Sequence, residues 1–127
     1  MTWTIDFDES LGMLEMTLED LVSGEELHEV TSRAIAILRE KDSILALADI
    51  SRLQGSPPLT DIYELPARQY VAEGLSRNIR IALVEPVADA AIEAARFYET
   101  VCMNRGWVVQ SFAARDQAIE WLRATRP

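Results

Sequence analysis

The sequence predicts an α/β fold, one domain over 1–127 with a mixed, mostly parallel five-stranded sheet and four helices in the order ββαβαβαβα. Two segments near the start, Trp3–Phe7 and Leu14–Leu18, alternate apolar and polar residues as half-buried strands do. Three later apolar runs are separated by stretches of helical periodicity, and a parallel strand pair needs a crossover of that length. A chain of 127 residues that is 49% apolar suits a single core.

The elements follow in order. Trp3, Ile5 and Phe7 share one face of the first strand, and after the turn-like Asp8-Glu9-Ser10 the residues Leu14, Met16 and Leu18 share one face of the second. Ser23-Gly24-Glu25-Glu26 is a capping box: the Ser23 hydroxyl accepts from an otherwise unpaired N–H, and Glu26 reaches back to the cap. Leu27, Val30, Ala34, Ile35 and Leu38 then recur at helical spacing. Ile44 to Ala48 is continuously apolar, as a central strand covered on both faces must be, and it ends at Asp49-Ile50-Ser51.

A second helical segment lies between Thr60 and Glu73, with Thr60 as its N-cap. Pro66 has no N–H to donate, so this helix either kinks or restarts there. Gly74 is placed to end it. Ile79 to Val84 is the next strand, closed by Glu85-Pro86; Ala90 to Arg105 is the third helix, with Ala91, Ala95, Tyr98 and Cys102 on one stripe and Gly106 as its C-cap. Trp107 to Phe112 is the last strand, and Asp116 to Arg123 the last helix, with Ala118, Ile119 and Leu122 inward. The order of strands in the sheet stays open.

Composition narrows the function classes. A formal charge of −9 and a pI near 4.5 oppose binding to nucleic acid, which relies on Lys and Arg to displace counterions. With one Cys and one His there is no intrachain disulfide and none of the usual His and Cys sets that hold transition metals. No metal or other cofactor is implied. The N-terminus has neither a basic region nor a long apolar run, and no segment is long enough to span a bilayer, so a cytoplasmic location is expected.

Several words of this sequence, in order along nearly the whole chain, are similar to those of a known group. They are Asp49-Ile50-Ser51 at a strand end, Thr60-Asp61-Ile62-Tyr63-Glu64-Leu65, Arg96-Phe97-Tyr98-Glu99-Thr100-Val101, Asn104-Arg105-Gly106, and Ala118-Ile119-Glu120-Trp121-Leu122. With the order of elements, they make the chain resemble the SpoIIAA-like branch of the STAS superfamily, the anti-sigma-factor-antagonist fold. The resemblance implies a STAS-like domain that binds other proteins, or in some members nucleotides or lipids, and that in the bacterial antagonists is switched by phosphorylation of a Ser or Thr in an Asp-Ser-Ser-Gly-like word. Here the corresponding stretch, Gln54-Gly55-Ser56-Pro57-Pro58-Leu59-Thr60-Asp61, lacks that word. Ser56 and Thr60 are the nearest hydroxyls, and neither matches the acceptor position.

Open α/β sheets receive ligands at the carboxyl ends of their strands, an edge that here carries Asp49, Ser51, the 52–60 loop, Glu85 and Ala113 to Asp116. Within it Ser51, Ser56, Pro57, Leu59, Thr60 and Tyr63 form the expected partner- or ligand-binding surface, because apolar residues on a loop are hard to explain by packing and two prolines reduce the entropy lost on binding. Asp49 and Glu85 are candidate acid–base carboxylates, although no nucleophile or base accompanies them, and capping or solvation explains them better. His28 is a surface or boundary residue, and Cys102 a small core hydrophobe. Phe97, Tyr98, Val101 and Met103 are read as a wide buried face or as an apolar contact surface.

Three functions remain. One is a non-enzymatic, cytoplasmic regulatory module that docks a protein partner through the 51–63 loop. Another is a carrier or sensor holding a small apolar or lipid-like ligand between sheet and helices, which requires a cavity there, as the related Sec14-like architecture suggests. The last is an enzyme using Asp49 and Glu85. Edge strands and an Ala-lined helix also allow a homodimer.

Overall fold

The computed structural model describes residues 2–124; Met1 and residues 125–127 of the expected domain lie outside the described residues. Strands β1 (Trp3–Asp8) and β2 (Met13–Asp20) form an antiparallel hairpin in register from Trp3↔Leu18 to Asp8↔Met13. Asp8 builds the turn: its Oδ1 accepts from Ser10 N, Ser10 Oγ and Leu11 N, and Gly12 supplies a φ of 65°. Helix α1 (Gly24–Glu40) opens on the expected capping box, with Glu26 N donating to Ser23 Oγ and Ser23 N to Glu26 Oε1. Its five predicted inward residues are all buried.

Strand β3 (Leu45–Leu53) outruns the apolar segment that announced it, because Ile50 and Leu53 remain buried and pairing with β2 continues, past an irregularity between Thr17 and Glu19, to Asp20↔Leu53. Helix α2 (Leu59–Glu64) leads without a break into a π-helical turn (Leu65–Gln69) and the single turn α3 (Tyr70–Ala72). The helix therefore runs on through Pro66, which sits in the first turn of the π-helical stretch. It widens: Tyr70 N–H bonds to Leu65 O five residues back, a spacing that accommodates a ring with no N–H to donate. Gly74, at φ 78°, ends this unit, and Leu75 N donates to Tyr70 O.

Thr60 is not the N-cap. That position belongs to Pro58, the helix starts at Leu59, and Thr60 is exposed within the first turn with no capping bond. The cause is local: Pro58, at φ −52° and ψ 140°, sets the entry of the chain, so the first turn begins before the hydroxyl arrives. The chain finishes with β4 (Arg80–Val84), α4 (Asp89–Asn104), β5 (Val108–Phe112) and α5 (Arg115–Ala124).

The sheet order is β1-β2-β3-β4-β5, antiparallel only between β1 and β2. From β2 onward each crossover steps one strand in the same direction, and right-handed crossovers then stack their helices on one face. The larger core cluster joins that face to α1, to the α2–α3 unit and to α4. On the other face α5 buries Ala118 and Leu122 against Met13, Leu47, Ala82 and Val84. Arg115, at the start of α5, reaches across to β2 in a two-pronged ion pair with Glu15, at 2.7 and 2.5 Å.

Candidate functional site

The face covered by three helical units is not completely filled. Between the sheet and those helices lies a cavity of about 130 Å3, walled almost wholly by apolar side chains. Six of its lining residues are alanines: Ala46 and Ala48 on β3, Ala34 on α1, and Ala91, Ala94 and Ala95 on α4. Small side chains set against small side chains leave volume that neighbouring backbones cannot collapse into.

The roof is the unit with the π turn, which contributes Ile62, Leu65 and Tyr70. It is tied down on both sides. Gln69 is buried within the π turn and its Nε2 donates to His28 O at 3.0 Å and Ser32 Oγ at 3.1 Å on α1. Trp107 Nε1 donates to Pro66 O at 3.2 Å. The wider helical turn thus places Gln69 for one anchor while the Pro66 carbonyl serves the other.

Two wall residues are phenols. The hydroxyls of Tyr70 and Tyr98 hydrogen-bond to each other at 2.5 Å, and Cys102, one helical turn beyond Tyr98, is fully buried beside them. Burial pushes both phenols well above their usual range and the Cys102 thiol up to about 12, so all three stay protonated at neutral pH. This cluster is neutral and its polar groups are turned toward one another.

The expected site residues part in two directions. Pro57, placed by sequence on an exposed loop, is buried and lines the cavity, and Ile62 is buried with it. Between the end of β3 and the start of α2, Pro57 is the buried residue, while Ser56 and Pro58 on either side of it are exposed. Leu59 and Tyr63 remain outside, 49% and 41% exposed. Tyr63 is held in place by Arg105, whose Nη2 donates to its hydroxyl at 2.7 Å while the guanidinium lies over the ring. Ser51 donates through N and Oγ to Asp49 Oδ1, and Ser56 Oγ donates to Pro57 O. Thr60 is exposed and does not line the cavity.

Asp49 is therefore occupied by its own strand end, and Glu85 is exposed beyond β4. Among the described residues no three His, Cys, Asp or Glu side chains gather as a metal site would require. No helix among the described residues is long and apolar enough to cross a membrane. His28 is exposed, and of the apolar residues on α4 Val101 is buried, Phe97 and Tyr98 pack on the core, and Met103 is 73% exposed.

The sequence places Tyr98 and Cys102 on one stripe and allows a cavity between sheet and helices as the requirement of a carrier, but it gives no sign that Tyr70 lines it. The available signal was the coincidence of an Ala-rich helix with Ala46 and Ala48 on a central strand.

No family model and no curated protein matches the chain. Among solved structures, an uncharacterized protein of the DUF3478 family from Shewanella loihica, described as having a SpoIIAA-like fold, is similar to it with a TM-score of 0.64. The two share 19% identity over 94% of this chain and 93% of that one. Identity at that level speaks for shape and leaves activity to be argued from the site. With the sheet order, the helix layer and this likeness in agreement, the chain has a SpoIIAA-like fold.

Proposed function

We propose that the chain is a non-enzymatic, cytoplasmic binding module that holds a small apolar molecule between its sheet and its helix layer. The observation that carries this reading is the cavity of about 130 Å3. An engineered apolar cavity of roughly 150 Å3 stays dry and takes up benzene, so a void of this size suits an aromatic ring or a short alkyl segment. The Tyr70 and Tyr98 hydroxyls hydrogen-bond to each other and Tyr98 also to Cys102, so the wall asks for no polar group on the occupant. The occupant's chemical class is thus apolar and compact.

The test is a thermal melt with and without benzene. Saturating benzene is expected to raise the Tm by a few degrees, because a ligand bound only to the folded state adds to its stability. Ala94→Leu is expected to fill the cavity and remove that rise while leaving the protein folded. The absence of a shift in the parent chain, or an equal shift in Ala94→Leu, rules the reading out.

A second reading is favoured by the outer side of the roof. Leu59 and Tyr63 are exposed, and Tyr63 is already immobilised by Arg105, which lowers the entropy lost when a partner covers it. This supports docking of a protein partner on α2. Native mass spectrometry of the chain from its own cells is expected to show a stoichiometric partner that disappears in Leu59→Asp with an unchanged melting temperature; a partner retained in that variant places docking elsewhere.

A further inference from the structure

The two edges of the sheet are unlike. The outer strand β1 carries Asp6 and Asp8, charges of the kind that discourage another strand from adding to an edge. The opposite edge, β5, carries none, and from Gly106 to Ala114 the chain has no charged side chain at all. In a molecule with a formal charge of −9, this is where a second copy meets the least repulsion.

The backbone of β5 is also oriented for pairing. Phe112 O accepts from Glu85 N, so Phe112, and with it Gln110 and Val108, turns its N–H and C=O toward β4. Peptide groups alternate along a strand, and Val109 and Ser111 accordingly present theirs to the open edge.

We propose that the chain forms a two-fold symmetric homodimer by antiparallel pairing of β5 with β5 of a second copy, centred on Gln110. In this register Val109 and Ser111 of each copy exchange N–H···O bonds with Ser111 and Val109 of the other, four bonds in all. Gln110 faces its own counterpart across the axis as a non-hydrogen-bonded pair. Val108, which is 36% exposed, comes opposite the half-buried Phe112 of the other copy, a branched-aliphatic and aromatic pair of the sort that stabilises neighbouring strands.

Charge at the two ends of the strand fits the same arrangement. Arg77, Arg80 and Arg105 cluster where β5 begins: Arg77 lies over Trp107 and donates to Arg105 O, and Arg80 pairs in register with Val108. Glu85 and Asp116 stand where β5 ends, while Arg115 at that end is already engaged by Glu15. Antiparallel pairing sets the basic end of each copy against the acidic end of the other. A parallel pair or a β1-to-β5 contact loses this match, and the latter repeats into an open fibre.

The two-fold axis runs perpendicular to the sheet, so the result is a ten-stranded sheet with both helix layers on one side. Both copies of the Leu59 and Tyr63 surface then face the same way, as a bivalent contact requires.

Sedimentation velocity over a concentration series tests the proposal. The expected species has twice the 14.3 kDa mass of one chain. Gln110→Lys, at an exposed position, places two ammonium groups together at the axis and is expected to weaken the dimer at least tenfold with an unchanged circular dichroism spectrum and melt. Gln110→Cys is expected to form an intermolecular disulfide on mild oxidation, since the Cα atoms of a non-hydrogen-bonded pair, about 4.5 Å apart, lie within disulfide range. A chain that stays monomeric at hundreds of micromolar, an assembly larger than a dimer, or a dimer that Gln110→Lys leaves intact overturns it.

Discussion

Tyr70, Tyr98 and Cys102 bring three titratable groups into an otherwise apolar interior. Among the described residues no cation lowers any of them; burial dominates each, and each is raised. A weak acid whose folded pKa is raised keeps its proton at pH values where the unfolded chain has released it. Its contribution to stability is complete below the unfolded value and is lost as pH rises. For Cys102 that window runs from 9.0 to about 12. Urea unfolding is therefore expected to show a stability plateau below about pH 9 and a decline above it, with a shallower decline in Cys102→Ala. A stability that is level or rising between pH 9 and 11 contradicts the buried assignment. At the same scale, residue types on a stripe were enough to place Cys102 inside, whereas its neighbour Tyr70 arrives from a different element and carried no mark of that in the sequence.

At the scale of elements, each segment's own periodicity was readable. Helix α1 shows why: the Ser23 and Glu26 pair caps the helix locally, and its apolar stripe has the period of the helix it forms. Pro66 shows the limit. A missing N–H announces that regular helical bonding fails there, but kink, restart and π turn all meet that condition. The π turn is held by partners outside the segment, His28 and Ser32 on α1, which accept from Gln69, and Trp107, which donates to the Pro66 carbonyl. Thr60 failed as a cap for a related reason, since Pro58 had already set the chain direction.

The helix α5 carries a prediction of its own. Among the described helices it alone covers the second face of the sheet, and Leu122 is fully buried there against β3 and β4. Leu122→Ala is expected to cost about 3 kcal/mol in urea unfolding, within the range for a buried Leu that leaves a void. A loss below about 1 kcal/mol means that α5 can detach without exposing the core. The two faces thus differ: the cavity beneath α4 has room for a larger side chain, whereas beneath α5 Ala118 and Leu122 are fully buried against the sheet.

Across the whole molecule, the class of fold, the order of its elements, the antiparallel start and the resemblance to the SpoIIAA-like group are legible in the order of residues. These rest on short-range information, the period of apolar residues, caps and turn glycines, together with the length a crossover needs. The sequential strand order, the sorting of Pro57 inward and of Leu59 and Tyr63 outward, and the cavity emerge when the elements pack together. A cavity is a difference between the space that packed backbones enclose and the volume of the side chains entering it from several elements. Ala46, Ala48 and Ala94 look like ordinary small residues in their own segments, and they become a binding volume only when β3 and α4 are laid face to face.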